Sequence, residues 1–222
     1  MPRRVYLLPL LTEAALARLR REGGSGPGSR ATRSREAGEP APPAAPVPGD
    51  RLRPRLPYAI AACELEAVAE GIRAAGVDLV ALPPDSLPPE SYNPVRRQHQ
   101  CSHILRRARE TLENLGELGA SLLVLTDADL YEPGMSFAGG MAELGGRVAI
   151  VSLARLQSGD RPKMVSRAVK ECLHELGHNL GLEHCRSTDC VMFLSRTLAD
   201  SDLKSAGFCP KCRAVLGRAL CQ

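Results

Sequence analysis

The stretch HELGHNLGLEHCRSTDCVM, residues 174–192, decides the fold and carries three histidines at fixed spacing. His174 and His178 are four residues apart, so a helix would place both imidazoles on one face, where they could share one ion. Glu175 is rotated away from both rings on such a helix. Its carboxylate could therefore reach a water molecule on the ion rather than the ion itself.

The third histidine follows at a spacing that suits the same ion. Gly181 can adopt a positive φ, which would end the helix and turn the chain so that His184 returns to the ion. Three histidine ligands with an open fourth position are typical of a catalytic zinc site rather than a closed structural one. HExxH alone also fits a helix with two solvated histidines, but the glycine and the third histidine favour the metal site.

Four cysteines in and after this stretch have the spacing of metal ligands. They are Cys185, Cys190, Cys209 and Cys212. Thiolates on two tight turns could converge on a second, structural zinc ion, which would hold the C-terminal region against the turn bearing His184. The alternatives are two disulfides in an exported protein and a redox CxxC pair. A redox pair would normally begin a helix next to a strand, a pattern that residues 205–212 do not indicate.

Composition and charge limit the classes of function. The chain has 222 residues, 44% of them hydrophobic and 3% aromatic, which is enough for one sizeable aliphatic core. Residues 1–57 contain 11 Lys+Arg against 5 Asp+Glu, whereas residues 58–222 contain 18 against 20. Because the second part is nearly neutral and poor in aromatic residues, we expect no nucleic-acid partner.

The N-terminal residues raise the question of a targeting segment. Arg3 and Arg4 precede a short apolar run, as in a signal peptide, but Glu13 and Arg18 interrupt that run. The sequence contains no run of 18 or more apolar residues, so it predicts no membrane-spanning helix. We therefore expect a cytoplasmic protein with reduced cysteines, and we expect it to be a monomer.

Apolar runs alternate with helical patterns along the chain. Buried strands are predicted at residues 4–10, 77–82, 121–126 and 147–153. Helices are predicted at residues 11–22, around residues 65–72, at residues 95–117, and from Pro162 or Lys163 into the histidine motif. Strands that alternate with helices argue for an α/β sheet with helices on its faces.

Residues 23–57 differ in composition from the rest of the chain. They are rich in proline, glycine and arginine, cannot bury much apolar surface, and are predicted to form a disordered insertion. The insertion would separate a first strand and helix, residues 1–22, from the rest of one catalytic domain, residues 58–222.

The motif HELGHNLGLEHC, the following Cys190 and Met192, and CPKC at residues 209–212 together resemble the archaemetzincins, a branch of the metzincin zinc metalloproteases. Residues 126–156 resemble the strands that precede the active-site helix in that family. The resemblance covers most of residues 90–215. It implies an α/β fold with a twisted mixed sheet, an active-site helix and a small C-terminal lobe stapled by zinc.

The resemblance also implies roles for residues outside the metal ligands. Met192 would be the Met-turn residue, an apolar floor beneath the histidines. The segment around residues 135–141 would be an antiparallel edge strand that pairs with an extended peptide substrate. Gly139 and Gly140 would allow that peptide to approach the backbone closely.

We therefore expect a zinc-dependent peptidase with two zinc ions per chain, one catalytic and one structural, that acts on peptides or small proteins. A zinc-activated water would attack the peptide bond while Glu175 acts as general base and passes the proton to the leaving amine. The alternative is a zinc-stabilised binding or regulatory protein with little or no peptidase activity. The intact Glu175 favours the enzyme.

Overall fold

The computed structural model describes residues 4–23 and 60–219. The predicted insertion at residues 23–57 lies outside these residues, except for Gly23 at the end of the first helix. Among the helices of the described part, none has both the length and the apolar character needed to cross a membrane.

Nine strands, six α-helices and a short 3-10 helix at Pro89–Ser91 are described. The strands in chain order are β1 (Val5–Leu11), β2 (Leu79–Ala81), β3 (Asp85–Ser86), β4 (Tyr92–Asn93), β5 (Gln98–Gln100), β6 (Ser121–Thr126), β7 (Leu130–Tyr131), β8 (Gly140–Ala142) and β9 (Val148–Ser152). The helices are α1 (Glu13–Gly23), α2 (Ala62–Ala74), α3 (Cys101–Leu115), α4 (Arg161–Asn179), α5 (Leu198–Leu203) and α6 (Pro210–Ala219). The four predicted strands are thus confirmed as β1, β2, β6 and β9.

The main sheet is mixed, with strands in the order β2-β1-β6-β9-β8 and with β3 paired to the far end of β1. All of these pairings are parallel except that of β8, which runs antiparallel to β9. In the described part of the chain, β8 is the terminal strand on its side of the sheet. A second, smaller sheet has the order β4-β5-β7.

Helices cover both faces of the main sheet, which explains why its central strands are continuous apolar runs rather than alternating ones. Leu7 and Leu11 of β1 belong to the core formed with α1, α2 and α4. Leu8 and Leu10, on the opposite face of the same strand, belong to the core formed with α3. The expected α/β architecture follows from this double coverage.

The helix predicted at residues 95–117 is present as α3, but its predicted start is wrong, because α3 begins at Cys101. The Asn93 side-chain oxygen accepts hydrogen bonds from the backbone N–H groups of Val95 and Arg96. Arg97 then has a φ of +55°, and residues 98–100 form β5 between β4 and β7. This side-chain-capped turn competes successfully with helix formation.

The helix α4 carries the histidine motif and begins close to the predicted position. The side chain of Asp160 accepts a hydrogen bond from the backbone N–H of Lys163, and Pro162 occupies the first turn, where a missing N–H costs nothing. The predicted apolar stripe packs into the core, with Val165 half-buried and its other members buried: Val169, Cys172 and Leu176.

The end of α4 also follows the prediction. Gly181 has a φ of +84°. Its N–H donates to the carbonyl of His178, and the N–H of Leu182 donates to the carbonyl of Gly177. These two bonds form the Schellman arrangement that terminates a helix, and they turn the chain back toward the face that carries the histidines.

The C-terminal region is fastened to α4 by charged groups. Arg167 of α4 forms two hydrogen bonds to the carboxylate of Asp202, at 2.6 and 2.7 Å, which lower the pKa of Asp202 to about 2. Lys204 is 1% exposed, and its ammonium lies 3.1 Å from a carboxylate oxygen of Glu171. A lysine this deeply buried is stabilised by an ion pair of this kind.

Candidate active site

The three histidines of the motif lie together at the end of α4. The ligand-capable nitrogens of His174, His178 and His184 are all within 4.8 Å of one another. The Nε2 atoms of His174 and His178 are 3.1 Å apart. Two nitrogens bound to one tetrahedral zinc at ordinary bond lengths would be about 3.3 Å apart. The spacing of this pair therefore fits a shared zinc ion.

The imidazoles of α4 are oriented by backbone carbonyls. Nδ1 of His174 donates to the carbonyl of Val191 at 2.8 Å, and Nδ1 of His178 donates to the carbonyl of Leu182 at 2.7 Å. With the proton on Nδ1, Nε2 of each ring presents its lone pair to the shared position. Burial lowers the pKa of His174 to about 4 and also lowers that of His178, so both rings are neutral near pH 7.

Glu175 is buried beside this cluster. Its side chain lies against Gly140 of β8, where a Cβ atom would be only 2.6 Å from Oε1 of the carboxylate. Burial, together with the charge of Glu171, raises the pKa of Glu175 to about 8. The side chain of Glu175, which was predicted to reach a water molecule, thus lies between the backbone of α4 and the edge strand β8.

Met192, the predicted Met-turn residue, packs against the active-site helix at Gly177. It is fully buried, and a Cβ atom placed on Gly177 would overlap its sulfur and lie 3.1 Å from the ring of Phe208. Only glycine at position 177 lets Met192 pack directly against the backbone of α4.

The four cysteines predicted as ligands form one cluster. Their sulfur atoms lie within 4.8 Å of one another, with Cys185 and Cys209 3.9 Å apart and Cys190 and Cys212 3.7 Å apart. Sulfur ligands of a tetrahedral zinc would be separated by about 3.8 Å, whereas a disulfide needs about 2.05 Å. The cluster geometry therefore fits a metal ion and not two disulfides.

The CxxC has only part of the pattern expected of a redox pair. Cys209 directly precedes α6, so the CxxC stands at the start of a helix, but the element before α6 is the helix α5 and not a strand. A hydrogen bond from the backbone N–H of Cys212 is the main cause that lowers the pKa of Cys209 to about 7. A dithiol redox site nevertheless needs only two sulfurs, and here Cys185 and Cys190 complete a four-sulfur set.

A short backbone segment joins the two clusters. Val191, which accepts the hydrogen bond from His174, directly follows Cys190, and its own N–H donates to the carbonyl of Gly207. The N–H of Cys185 donates to the carbonyl of Met192. The thiol cluster and the histidine cluster are therefore connected by hydrogen bonds through residues 190–192.

The predicted edge strand is present and antiparallel, but it is shorter and later than expected. β8 spans Gly140–Ala142, and the pairing extends to Gly139, whose carbonyl accepts a hydrogen bond from Ser152. The two predicted glycines differ in surroundings: a Cβ on Gly140 would press on Glu175, whereas no described atom lies within 4 Å of one on Gly139.

Sequence reasoning missed three residues that shape the site: Gly177, Asn179 and Lys204. Gly177 carried a usable signal, because a glycine inside a helix costs about 1 kcal/mol relative to alanine and so suggests a close contact. The charge of Lys204 adds to burial in lowering the pKa of His174. Asn179 connects α4 to the turn between β8 and β9. The contacts of Asn179 and Lys204 join segments that are remote in sequence.

A sequence profile described as peptidase family M54 matches residues 90–218, which is more than half of the chain. The chain belongs to peptidase family M54. The match includes the histidine and cysteine clusters and the strands β4 to β9 that lead into α4. This M54 chain is a zinc metallopeptidase.

Relatives and solved structures agree with this family. The archaemetzincin of Methanopyrus kandleri is 42% identical over 134 residues, which are 60% of this chain and 74% of that protein. The archaemetzincin of Archaeoglobus fulgidus is 38% identical over 139 residues, or 63% and 81% of the two chains. A crystal structure of the latter, complexed with malonate, superposes with a TM-score of 0.65 at 26% identity and covers 95% of this chain and 98% of that one.

The crystal structure of the Methanopyrus kandleri protein gives a TM-score of 0.64 at 27% identity and covers 99% of this M54 chain and 97% of that one. The resemblance to archaemetzincins is therefore confirmed, and so is the α/β fold with a mixed sheet, an active-site helix and a small C-terminal lobe.

Proposed function

We propose that this M54 chain hydrolyses peptide bonds with a zinc ion held by His174, His178 and His184 and with Glu175 as general base. The observation that carries the proposal is the convergence of three imidazoles, two of them oriented by backbone carbonyls, at the end of the helix that also carries the buried carboxylate of Glu175. Zinc bound there would act as a Lewis acid toward the substrate carbonyl and would acidify a coordinated water.

Glu175 would accept a proton from the attacking water at a carboxylate oxygen and deliver it to the leaving nitrogen. A general base must be ionised, whereas burial raises the pKa of Glu175 to about 8. A dication held by the neighbouring histidines would favour the charged carboxylate again by direct attraction. The base and the metal site are therefore expected to work only as a unit.

We assign a second, structural zinc to the four cysteines. Their sulfur separations of 3.7 and 3.9 Å support one tetrahedral ion, and four thiolates would leave no position for a substrate. Backbone N–H groups of Ser187 and Cys209 point at the sulfurs of Cys185 and Cys190, which stabilises negative charge there.

The outer edge of β8 is proposed to pair with the peptide substrate in an extended conformation. Main-chain N–H and C=O groups on a free edge supply hydrogen bonds that do not depend on the substrate side chains. The support for this placement is that Gly140 of β8 touches the carboxylate of Glu175. A peptide along this strand would thus lie beside the general base.

The variants Glu175→Gln and Glu175→Ala test the base. Both should keep the zinc content of the wild type, because Glu175 is not a proposed ligand, and both should lose hydrolysis of a library of quenched fluorescent peptides. Retained hydrolysis would remove Glu175 from this role. A wild-type protein that binds zinc at both sites yet cleaves no peptide would favour the binding or regulatory alternative.

Metal analysis of His184→Ala and Cys209→Ala tests the two-site assignment. In excess zinc, the wild type should contain two zinc ions per chain, and each variant should lose a different one. Loss of hydrolysis with one remaining zinc is expected for His184→Ala. A single zinc in the wild type, lost in both variants, would contradict the assignment.

A further inference from the structure

Asn179, the last residue of α4, closes the turn between β8 and β9. Its side chain is 2% exposed, and its Nδ2 group donates to the carbonyl of Glu143 at 3.0 Å and to the carbonyl of Val148 at 2.9 Å. Glu143 follows β8 and Val148 begins β9, so one amide group holds both sides of the hairpin.

The turn between β8 and β9 has one short backbone hydrogen bond of its own, from the N–H of Gly146 to the carbonyl of Glu143 at 2.9 Å. The backbone bond from the N–H of Glu143 to the carbonyl of Val148 measures 3.4 Å, which is beyond the usual range for N–H···O. A further bond ties the turn to the helix, because the N–H of Gly145 donates to the carbonyl of His178 at 2.8 Å. The end of α4 therefore holds the turn with three hydrogen bonds, two from the side chain of Asn179 and one to the carbonyl of His178.

The identity of the amide atoms is fixed by the partners. Both partners are carbonyl oxygens, so the group that faces them must be the NH₂ donor and not the oxygen. The Oδ1 atom of Asn179 is buried and has no hydrogen-bond partner among the described residues. Burial of this oxygen costs free energy, which the two hydrogen bonds donated by Nδ2 offset. An ionised aspartate at position 179 could not form these two bonds, because its carboxylate only accepts hydrogen bonds.

Glu175 and Asn179 are four residues apart and therefore share one face of α4. Glu175 contacts β8 at its first residue, Gly140, and Asn179 holds the chain just after its last residue, Ala142. The same helix face thus contacts the edge strand at both ends.

We infer that Asn179 is a positioning residue for peptide hydrolysis: it fixes the edge strand β8 relative to Glu175 and so sets how the substrate is presented to the base. This inference rests on the proposed function, because it assumes that the substrate pairs with β8. Asn179 does not touch the proposed metal position, since its amide is engaged by Glu143 and Val148.

The test compares Asn179→Ala with the matched control Ser201→Ala. Ser201 is 3% exposed and donates one hydrogen bond of 2.6 Å to Glu171 of α4, away from the hairpin. Both variants remove buried hydrogen bonding to the same helix. Only Asn179→Ala should raise KM for a fluorescent peptide and lower kcat/KM, by about tenfold, with zinc content and helical circular dichroism unchanged. Equal kcat/KM in the two variants would overturn the inference.

Amide hydrogen exchange provides a readout that needs no activity. In Asn179→Ala, the amides of residues 140–148 should exchange about tenfold faster than in Ser201→Ala. Unchanged exchange would refute the proposal that Asn179 holds the hairpin, whether or not peptides are cleaved. If Asn179→Ala does not fold, hydrogen exchange in the wild type tests the inference instead. The hairpin amides of the wild type should then exchange as slowly as those of the last turn of α4. Rapid exchange of the hairpin amides would contradict the inference. Failure of the wild type to cleave peptides would instead count against the proposed function.

Discussion

Replacing Gly140 by alanine should disable hydrolysis without disturbing the metal sites. The new Cβ atom would lie 2.6 Å from Oε1 of Glu175, whereas ordinary contacts begin at about 3.4 Å, so the carboxylate must retreat by about 0.8 Å. Misplacement of a reacting group by about 1 Å can cost about 100-fold in rate, or about 2.7 kcal/mol of transition-state stabilisation. We therefore expect kcat/KM to fall about 100-fold.

Gly139→Ala is the matched variant, because it adds a methyl group to the same proposed peptide-pairing segment without a clash with Glu175. It adds the same methyl group one residue earlier, where no described atom lies within 4 Å. Neither glycine has a positive φ, so backbone strain does not distinguish the two variants. The assay is kcat/KM on a quenched fluorescent peptide, with zinc content and melting temperature measured on the same samples. Activity of Gly140→Ala within twofold of Gly139→Ala would refute the reasoning, and so would loss of zinc in Gly140→Ala.

Three further predictions concern the support of the site. Gly177→Ala should lower the melting temperature, measured by circular dichroism, because overpacking against Met192 costs about 1–3 kcal/mol and exceeds the gain of about 1 kcal/mol in helix propensity. Cys212→Ser should weaken zinc binding at the histidine site about tenfold in a chelator competition, because the carbonyl that orients His174 is held by the cysteine cluster. Asp202→Asn should reduce stability at neutral pH, and its difference from the wild type should vanish as pH falls from about 4 to about 2, since the folded-state pKa of Asp202 is lowered to about 2.

Each of these predictions has an outcome that contradicts it. A Gly177→Ala protein as stable as the wild type would mean that Met192 relaxes without cost. Cys63→Ser, which changes an exposed thiol, is the control for Cys212→Ser, and equal zinc affinities in the two would disprove the coupling. A stability difference for Asp202→Asn that persists unchanged at pH 2 would show that the lost ion pair is not its cause.

The two clusters proposed to bind metal were predictable from sequence because they depend on spacing along a short stretch. His174 and His178 follow the period of a helix, and a single glycine, Gly181, sets the return of His184. The buried strands were also predictable, since continuous apolar runs are typical of a sheet covered on both faces. Both kinds of signal are local, and the structure preserves them.

What could not be predicted depends on contacts between remote segments or on single side chains that redirect the backbone. Residues 95–100 have helical composition, but the side chain of Asn93 caps a turn there and the following residues pair as β5. The burial of Lys204 depends on Glu171, 33 positions earlier in the chain. No periodicity in the sequence indicates that Lys204 and Glu171 form a pair.

The six residues 174–179 show why so short a segment decides the fold. They contain two pairs at helical spacing, His174 with His178 and Glu175 with Asn179, and the pairs are offset by one residue, or about 100° around the helix. One pair faces the carbonyls of Leu182 and Val191 and the proposed metal position, and the other faces the β8–β9 hairpin. The remaining Leu176 packs into the core, and Gly177 receives Met192. Because this stretch of α4 carries two of the three proposed metal ligands and both contacts to the edge strand, helix geometry sets how the proposed metal position lies relative to β8.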